Sequence, residues 1–478
     1  MNPRARVNRY GLAVAVLVGW TALQPVAASA RDIVDILQDR GLITPDEKKE
    51  ANSTNTKPFI TYKEGLGFVF ATPDKRFSLA IGGYTQVRYT LTDTDPRFRN
   101  ASKGTGGDSQ SFDVPRSRFW LRGNAFSTRV FYKIEVDVAT TSGGDTLRDA
   151  ELGYQLIEDD WLTIKGGQFK TWYSRQEMTS DSRQEFVDRA LATNNFRFER
   201  AKGVGLYGTP MNSLIEYYAG VFNTTGRNGS LNPSDDFLYL TRFAVNPLGP
   251  IPYSEGDFGP TETPLFSIGA SYGYEKTPAS TFTTAATAGA DPNDPTKQVI
   301  TANGTVVNRV PYQGMIQPFY NKLSNPNTLT VGIQNFEVDF AARWLGIDLG
   351  FEYFLGFNNS AFVGSVPKAP FALPPGNFNS QGYYAQAGYF IIPKKLQIAG
   401  RYSEMTPNES QTVKYPNGST VTPNQTELLG AVNWYFAEHN LKLQTDFGPV
   451  DSVGAKNTAG NIANSNSFRW RVQAQLIF

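Results

Sequence analysis

The sequence predicts an all-β fold, a transmembrane antiparallel β-barrel of about sixteen strands, on three observations. The first is period-two alternation over 467–478. Phe468, Trp470, Val472, Ala474, Leu476 and Phe478 fall on one face, and Ser467, Arg469, Arg471, Gln473 and Gln475 on the other. Strand side chains alternate, so this segment has one apolar and one polar wall. A soluble sheet buries the apolar wall, whereas a membrane barrel turns it to lipid and its polar wall to a watery lumen. The second is the rhythm of the connections, which alternate between long and tight. The third is that no apolar run beyond the amino-terminal leader approaches the ~20 residues of a membrane-spanning helix. The chain is also rich in aromatics (13%) and glycine (44 residues), as barrels with aromatic girdles are.

Residues 1–30 read as a secretory signal peptide: Arg4, Arg6 and Arg9, an apolar run over 11–18, then Ala28, Ser29 and Ala30. Gln24, Pro25 and Ser29 interrupt the run too early for an anchor. There is no cysteine, which excludes disulfides and a lipid-modified amino-terminal Cys. Taking the three leader arginines from 45 Lys and Arg leaves 42 against 44 Asp and Glu, a net of −2. That balance gives no support for a nucleic-acid partner. Residues 31–58 predict a periplasmic helical segment and linker. Ile33, Ile36 and Leu37 share a helix face, Gly41 stops it, and 44–47 (TPDE) is a capping box with Pro at the first helical position. The barrel domain is assigned to 59–478, although 59–71, partly strand-like, has no clear place in it.

Strands are expected near 77–91, 114–126, 128–139, 147–157, 161–170, 202–209, 214–224 and 236–246. The second half adds 265–275, 328–344, 346–358, 379–391, 395–406, 425–436, 440–450 and 467–478. Between them, 92–113, 171–201, 359–378 and 407–424 are long; Ser127 alone, 210–213, 393–394 and 437–440 are tight. Long outer loops alternating with tight periplasmic turns are the layout of a membrane barrel. Two stretches stand out. The Pro- and Gly-rich 247–264 is too long for a periplasmic turn, and 276–327, rich in Thr, Pro, Ala and Asn, is expected to be an external cover.

Several stretches resemble the phosphate-selective porin O and P family of Gram-negative outer membranes. They are 147–150 (LRDA) with 161–174 (WLTIKGGQFKTWYS), 184–208 with its EFVDRAL and RAKGVG runs, 430–436 (GAVNWYF), and GLITP at 41–45. The resemblance implies a sixteen-stranded porin of a Gram-negative outer membrane, surrounded by lipid and assembled as a homotrimer. It also implies a third loop folded into the lumen, a ladder of lumenal arginines, small anions such as phosphate as permeants, and no cofactor.

Alternation itself turns Arg88, Arg116, Arg118, Arg122, Arg469 and Arg471 inward. The last strand of a closed barrel pairs with the first, so these six form one basic wall on three adjacent strands. About half a circumference away, Glu337, Asp339 and Glu352 point inward as an opposing acidic wall, which predicts a transverse field across the pore. Arg129 and Lys133 share a strand face with Glu135 and Asp137 and read as simple ion pairs. The long loop 171–201 and its flanks carry Lys170, Arg175, Arg183, Arg189, Arg197 and Arg200 as constriction candidates, with Lys202, against five acids. A barrel enzyme is the main rival, but such chemistry usually needs a histidine base. The single His439 falls in a short turn, and no spacing suits a metal. The function expected is therefore a water-filled channel for small hydrophilic solutes and ions, with weak to moderate anion preference. A non-selective general-diffusion porin, or a non-conducting structural or adhesion barrel, are the alternatives.

Overall fold

In a computed structural model of the chain, the described residues are 38, 40–42, 44–47, 59–99, 108–139, 147–224, 226–228, 236–280, 287–291, 294–301, 328–363, 376–409, 412–459 and 461–478. The expected signal peptide lies outside them. The chain divides into two compact units, Met1–Lys57 and Pro58–Phe478. In the first, Gly41 adopts φ +66° and its N–H bonds the Gln38 carbonyl. Thr44 and Glu47 form a reciprocal cap, Thr44 N donating to Glu47 (2.7 Å) and Glu47 N to Thr44 Oγ1 (3.2 Å).

The second unit is a closed antiparallel barrel of sixteen strands. They are β1 Ser78–Asp93, β2 Ser109–Ala125, β3 Ser127–Asp137, β4 Leu147–Ile157, β5 Leu162–Lys170, β6 Arg200–Gly208, β7 Ile215–Phe222 and β8 Leu238–Val245. Then come β9 Leu265–Ser280, β10 Thr328–Trp344, β11 Ile347–Val363, β12 Gly376–Ile392, β13 Leu396–Thr406, β14 Asn424–Ala437, β15 Leu441–Lys456 and β16 Ile462–Ile477. Each pairs with its neighbours in sequence, and β16 closes on β1 from Phe468↔Asp93 to Ile477↔Tyr84. Closure leaves the spanning sheet no open edge, which hydrocarbon requires. The outward positions carry the apolar set: Phe119, Leu121, Val338, Trp434, Phe468 and Leu476 are exposed on the outer face. Inward positions such as Gln86, Gln444, Asp446 and Gln473 are polar and buried.

The stretch 59–71 is a hairpin, Phe59–Lys63 with Gly67–Ala71, that pairs with β1 from Phe68↔Ile81 to Ala71↔Ser78. It takes over the edge of β1 where β16 ends, just past the two bonds joining Gly83 and Phe478 (both 2.9 Å). Its turn reaches the barrel interior, since Gly65 O accepts from Arg122 (2.7 Å) and Leu66 O from Trp120 (3.0 Å). Gly65 adopts φ +70°, and a Cβ there would lie 2.6 Å from the Arg183 guanidinium.

One sequence expectation needs correction. The single-residue turn between β2 and β3 is Phe126, at φ +63°, and Ser127 begins the next strand. The stretch 247–264, expected to be too long for a periplasmic turn, carries buried Ile251, Glu255 and Asp257. The expected cover 276–327 lies mostly outside the described residues, beyond the end of β9 and a hairpin of Thr287–Asp291 with Asp294–Thr301.

The barrel is not hollow. Between β5 and β6 the chain enters the lumen, and most of 171–198 is buried. Trp172, Tyr173, Phe196 and Phe198 from this loop pack with inward Phe222, Leu238, Leu240 and Phe354 into an apolar core within the barrel wall. Glycines make room for it. A Cβ on Gly273 would strike the Phe198 ring, and one on Gly382 the Phe196 ring.

Candidate functional site: the lumenal constriction

The loop is held to the wall formed by β16, β1 and β2 through two carboxylates. Asp188 Oδ2 meets Arg88 Nη1 (3.0 Å) and Arg471 Nη1 (2.6 Å), while Asp188 Oδ1 accepts from Arg116 Nη2 (2.9 Å) and Arg88 Nη2 (3.1 Å). Asp181 meets Arg118 (2.9 Å), Arg116 (3.4 Å) and the loop's own Arg189. Charge-assisted bonds of this kind are the strong ones. Burial alone raises a carboxyl pKa, but Arg116, Arg471 and Arg88 outweigh it at Asp188, and Arg189, Arg116 and Arg118 at Asp181. Both acids stay far below the usual carboxylate range.

The six predicted wall arginines thus lie together on three adjacent strands, but most are braced. Arg118 also holds Asp137 (2.9 Å), Arg471 holds Asp446 (2.7 Å) and Arg469 holds Glu427 (2.5 Å). Arg122 makes no ion pair among the described residues and stacks on Trp120. Lys133, read as one of a simple pair, joins this network through Glu135 (2.7 Å) and Asp149 (2.6 Å).

The constriction candidates divide in the same way. Lys170 donates to the Thr179 carbonyl (3.1 Å), Arg189 to Thr179 O (2.8 Å), and Arg200 to Asp149 (2.6 Å). Arg197 pairs with Glu177 (3.3 Å) and Glu199 (2.5 Å). Arg175 donates to Ile251 O and Pro252 O (3.0 and 3.1 Å) and lies over Tyr253. Most of these cations therefore shape the loop rather than front the pore.

The residues of the acidic wall are covered rather than open to the lumen. Glu337 and Asp339 are fully buried and share Arg242, at 3.3 and 2.5 Å. Glu352 accepts from Gln176 N (2.5 Å) and Thr193 Oγ1 (3.1 Å), under the loop. The loop covers these acids, so they face protein instead of water.

A second insert comes from the connection 246–264. Glu255 accepts from Glu185 N (2.7 Å) and Gln176 Nε2 (3.2 Å), and its own N–H donates to Arg183 O (2.8 Å). Phe258 packs edge-on against Tyr435 and against His439, whose Nε2 meets Glu255 O (2.8 Å). His439 is therefore packed into the structure. Burial and then Lys442 keep its pKa well below the usual value, so the ring is neutral. A cavity of about 20 Å³ lined by Arg175, Gln176, Glu255, Arg343 and Asp348 remains between the inserts, room for about one water. Burial, then Asp348 and Glu255, push the Glu185 carboxyl well above its usual range. Sequence reading missed Arg242, Arg401 and Glu255. The signal for Glu255 was the excessive length of its connection.

A closed barrel with an apolar outer face, a charged interior and a loop across its lumen defines an outer-membrane channel. The profile of phosphate-selective porin O and P matches residues 81–302 and 376–478, and the chain belongs to that family. The family places it in the outer membrane of a Gram-negative bacterium and points to a channel rather than an enzyme. No curated protein matches it in sequence. Among solved structures, OmpT of Vibrio cholerae aligns with a TM-score of 0.47 at 12% identity, over 83% of this chain and 97% of that one. An anion-selective porin from Comamonas acidovorans gives 0.48 at 8% identity, over 84% and 100%. The outer-membrane channel DcaP of Acinetobacter baumannii gives 0.45 at 13%, over 85% and 99%. These likenesses are too distant to carry an argument about the chemistry of this pore.

Proposed function

We propose that the chain forms a channel for passive diffusion of small hydrophilic solutes and ions, with weak to moderate preference for anions, phosphate among them. One observation supports the sign of that preference. Two arginines of the basic wall are more exposed than the buried carboxylates that brace that wall from behind. The Arg116 and Arg469 side chains are 17% and 24% exposed, against 5% for Asp181, 4% for Glu427 and 0% for Asp446. A permeating ion meets guanidinium groups before it meets their counter-ions, and guanidinium stays charged at any working pH. The exceptions are Asp188, at 23% against 10% and 5% for Arg88 and Arg471, and the pair Asp137 and Glu135, at 11% and 8% against 4% for Arg118, and they keep the preference modest. The outward apolar band suits lipid on some strands and neighbouring copies on others, and the assembly is read as a homotrimer.

Swelling of proteoliposomes tests the reading. Small neutral solutes should enter, phosphate should enter faster than an organic cation of similar size, and both should exceed protein-free vesicles. Vesicles that do not swell would establish the non-conducting alternative, and equal rates for anion and cation the general-diffusion one.

A further inference from the structure

Asp188 sits at the focus of three guanidinium groups from three strands, and both its oxygens are doubly hydrogen-bonded, by Arg88 and Arg471 on one side and Arg88 and Arg116 on the other. Each arginine is also held by a second partner on the barrel wall. Gln473 Oε1 accepts from Arg88 (2.9 and 3.1 Å), Gln86 Oε1 from Arg116 (2.9 Å), and Asp446 from Arg471 (2.8 and 2.7 Å). Each donor thus has an anchor on the barrel besides its loop contacts, which for Arg116 include Asp181 (3.4 Å) and for Arg88 the Val187 carbonyl (3.4 Å). A cluster of preorganised donors around a tetrahedral or planar oxyanion has this form. The Asp188 side chain is also more exposed than the Arg88 and Arg471 side chains, 23% against 10% and 5%, so water reaches the carboxylate.

We propose that Asp188 is an internal stand-in for a permeant oxyanion. It fills a three-arginine site on the pore wall that takes an inorganic oxyanion of the phosphate class when the carboxylate is withdrawn. In the resting pore Asp188 competes with the permeant, so the loop's own acid sets how tightly an oxyanion is held. The idea rests on the anion reading above and adds the residue that limits it.

The test uses full-length protein refolded in detergent, with Asp188→Asn, Asp188→Ala and, as a control on the same loop, Glu199→Gln. The first readout is the unfolding temperature in phosphate against chloride at equal ionic strength. The wild type and Glu199→Gln should respond alike to the two salts. Both Asp188 variants should unfold earlier in chloride and recover in phosphate. The second readout is block of chloride current by added phosphate in planar bilayers. The Asp188 variants should be half-blocked at concentrations about tenfold below wild type, the worth of one charge-assisted hydrogen bond. The proposal is overturned if phosphate does no more than chloride for the Asp188 variants in both readouts, or if they fold in neither salt. The detergent readout involves no transport, so a failed anion preference in wild-type vesicles remains a separate result.

Discussion

Reversing three arginines of the basic wall together, Arg116→Glu, Arg118→Glu and Arg471→Glu, should raise single-channel conductance severalfold and turn the pore toward cations. The three groups bind Asp181 and Asp188 of the lumenal loop at 2.6–3.4 Å. Reversal sets like charges at those distances inside a poorly solvated lumen, where screening is weak. Losing one partner of a buried pair costs about 3–5 kcal/mol, and here several pairs go at once. The strands keep their ladders, so the barrel persists while the loop is driven from this wall. The opposite contacts, from Glu352 to Gln176 and Thr193, retain the loop on the far side, and the channel widens beside the wall. Bilayer recordings check both parts. An unchanged conductance would mean that the two carboxylates do not hold the loop in place.

Replacing Arg242 with methionine should give the largest loss of stability of any single substitution considered. Its guanidinium is fully buried and joins Glu337 and Asp339, which are equally buried. Removing it takes away the ion pair that both carboxylates share, a loss of about 3–5 kcal/mol. The cause can be separated from lost packing. Adding Glu337→Gln and Asp339→Asn to Arg242→Met neutralises the orphaned acids and should restore most of the unfolding temperature in detergent. If the triple variant unfolds as early as the single one, packing around Arg242 matters more than its charge.

The strands were legible because each must show lipid one kind of side chain and the lumen another. Their outer ends were not. Residues 109–113 (SQSFD), 276–280 and 451–456 continue β2, β9 and β15 with polar groups on both faces. Beyond the lipid, period two loses its apolar signal. The basic wall followed from parity plus closure of the last strand on the first. Its partners could not, because Asp188 lies a hundred residues from Arg88 and 283 from Arg471. Arg242 was hidden because β8 turns Leu238 and Leu240 inward, into the core the loop creates. With apolar residues on both faces, that strand offers no polar side to read. Parity gave the direction of Glu337, Asp339 and Glu352 but not the loop that covers them. Direction is a local property of a strand, whereas burial depends on what the rest of the chain brings to it.

Arg116 and Arg469, more exposed than Asp181 and Glu427, should set the sign of the current through this barrel. The most direct measurement is the zero-current potential of the wild-type channel across a KCl gradient. The potential should have the sign of modest chloride preference. A potential of the opposite sign, showing potassium to be preferred, would contradict it.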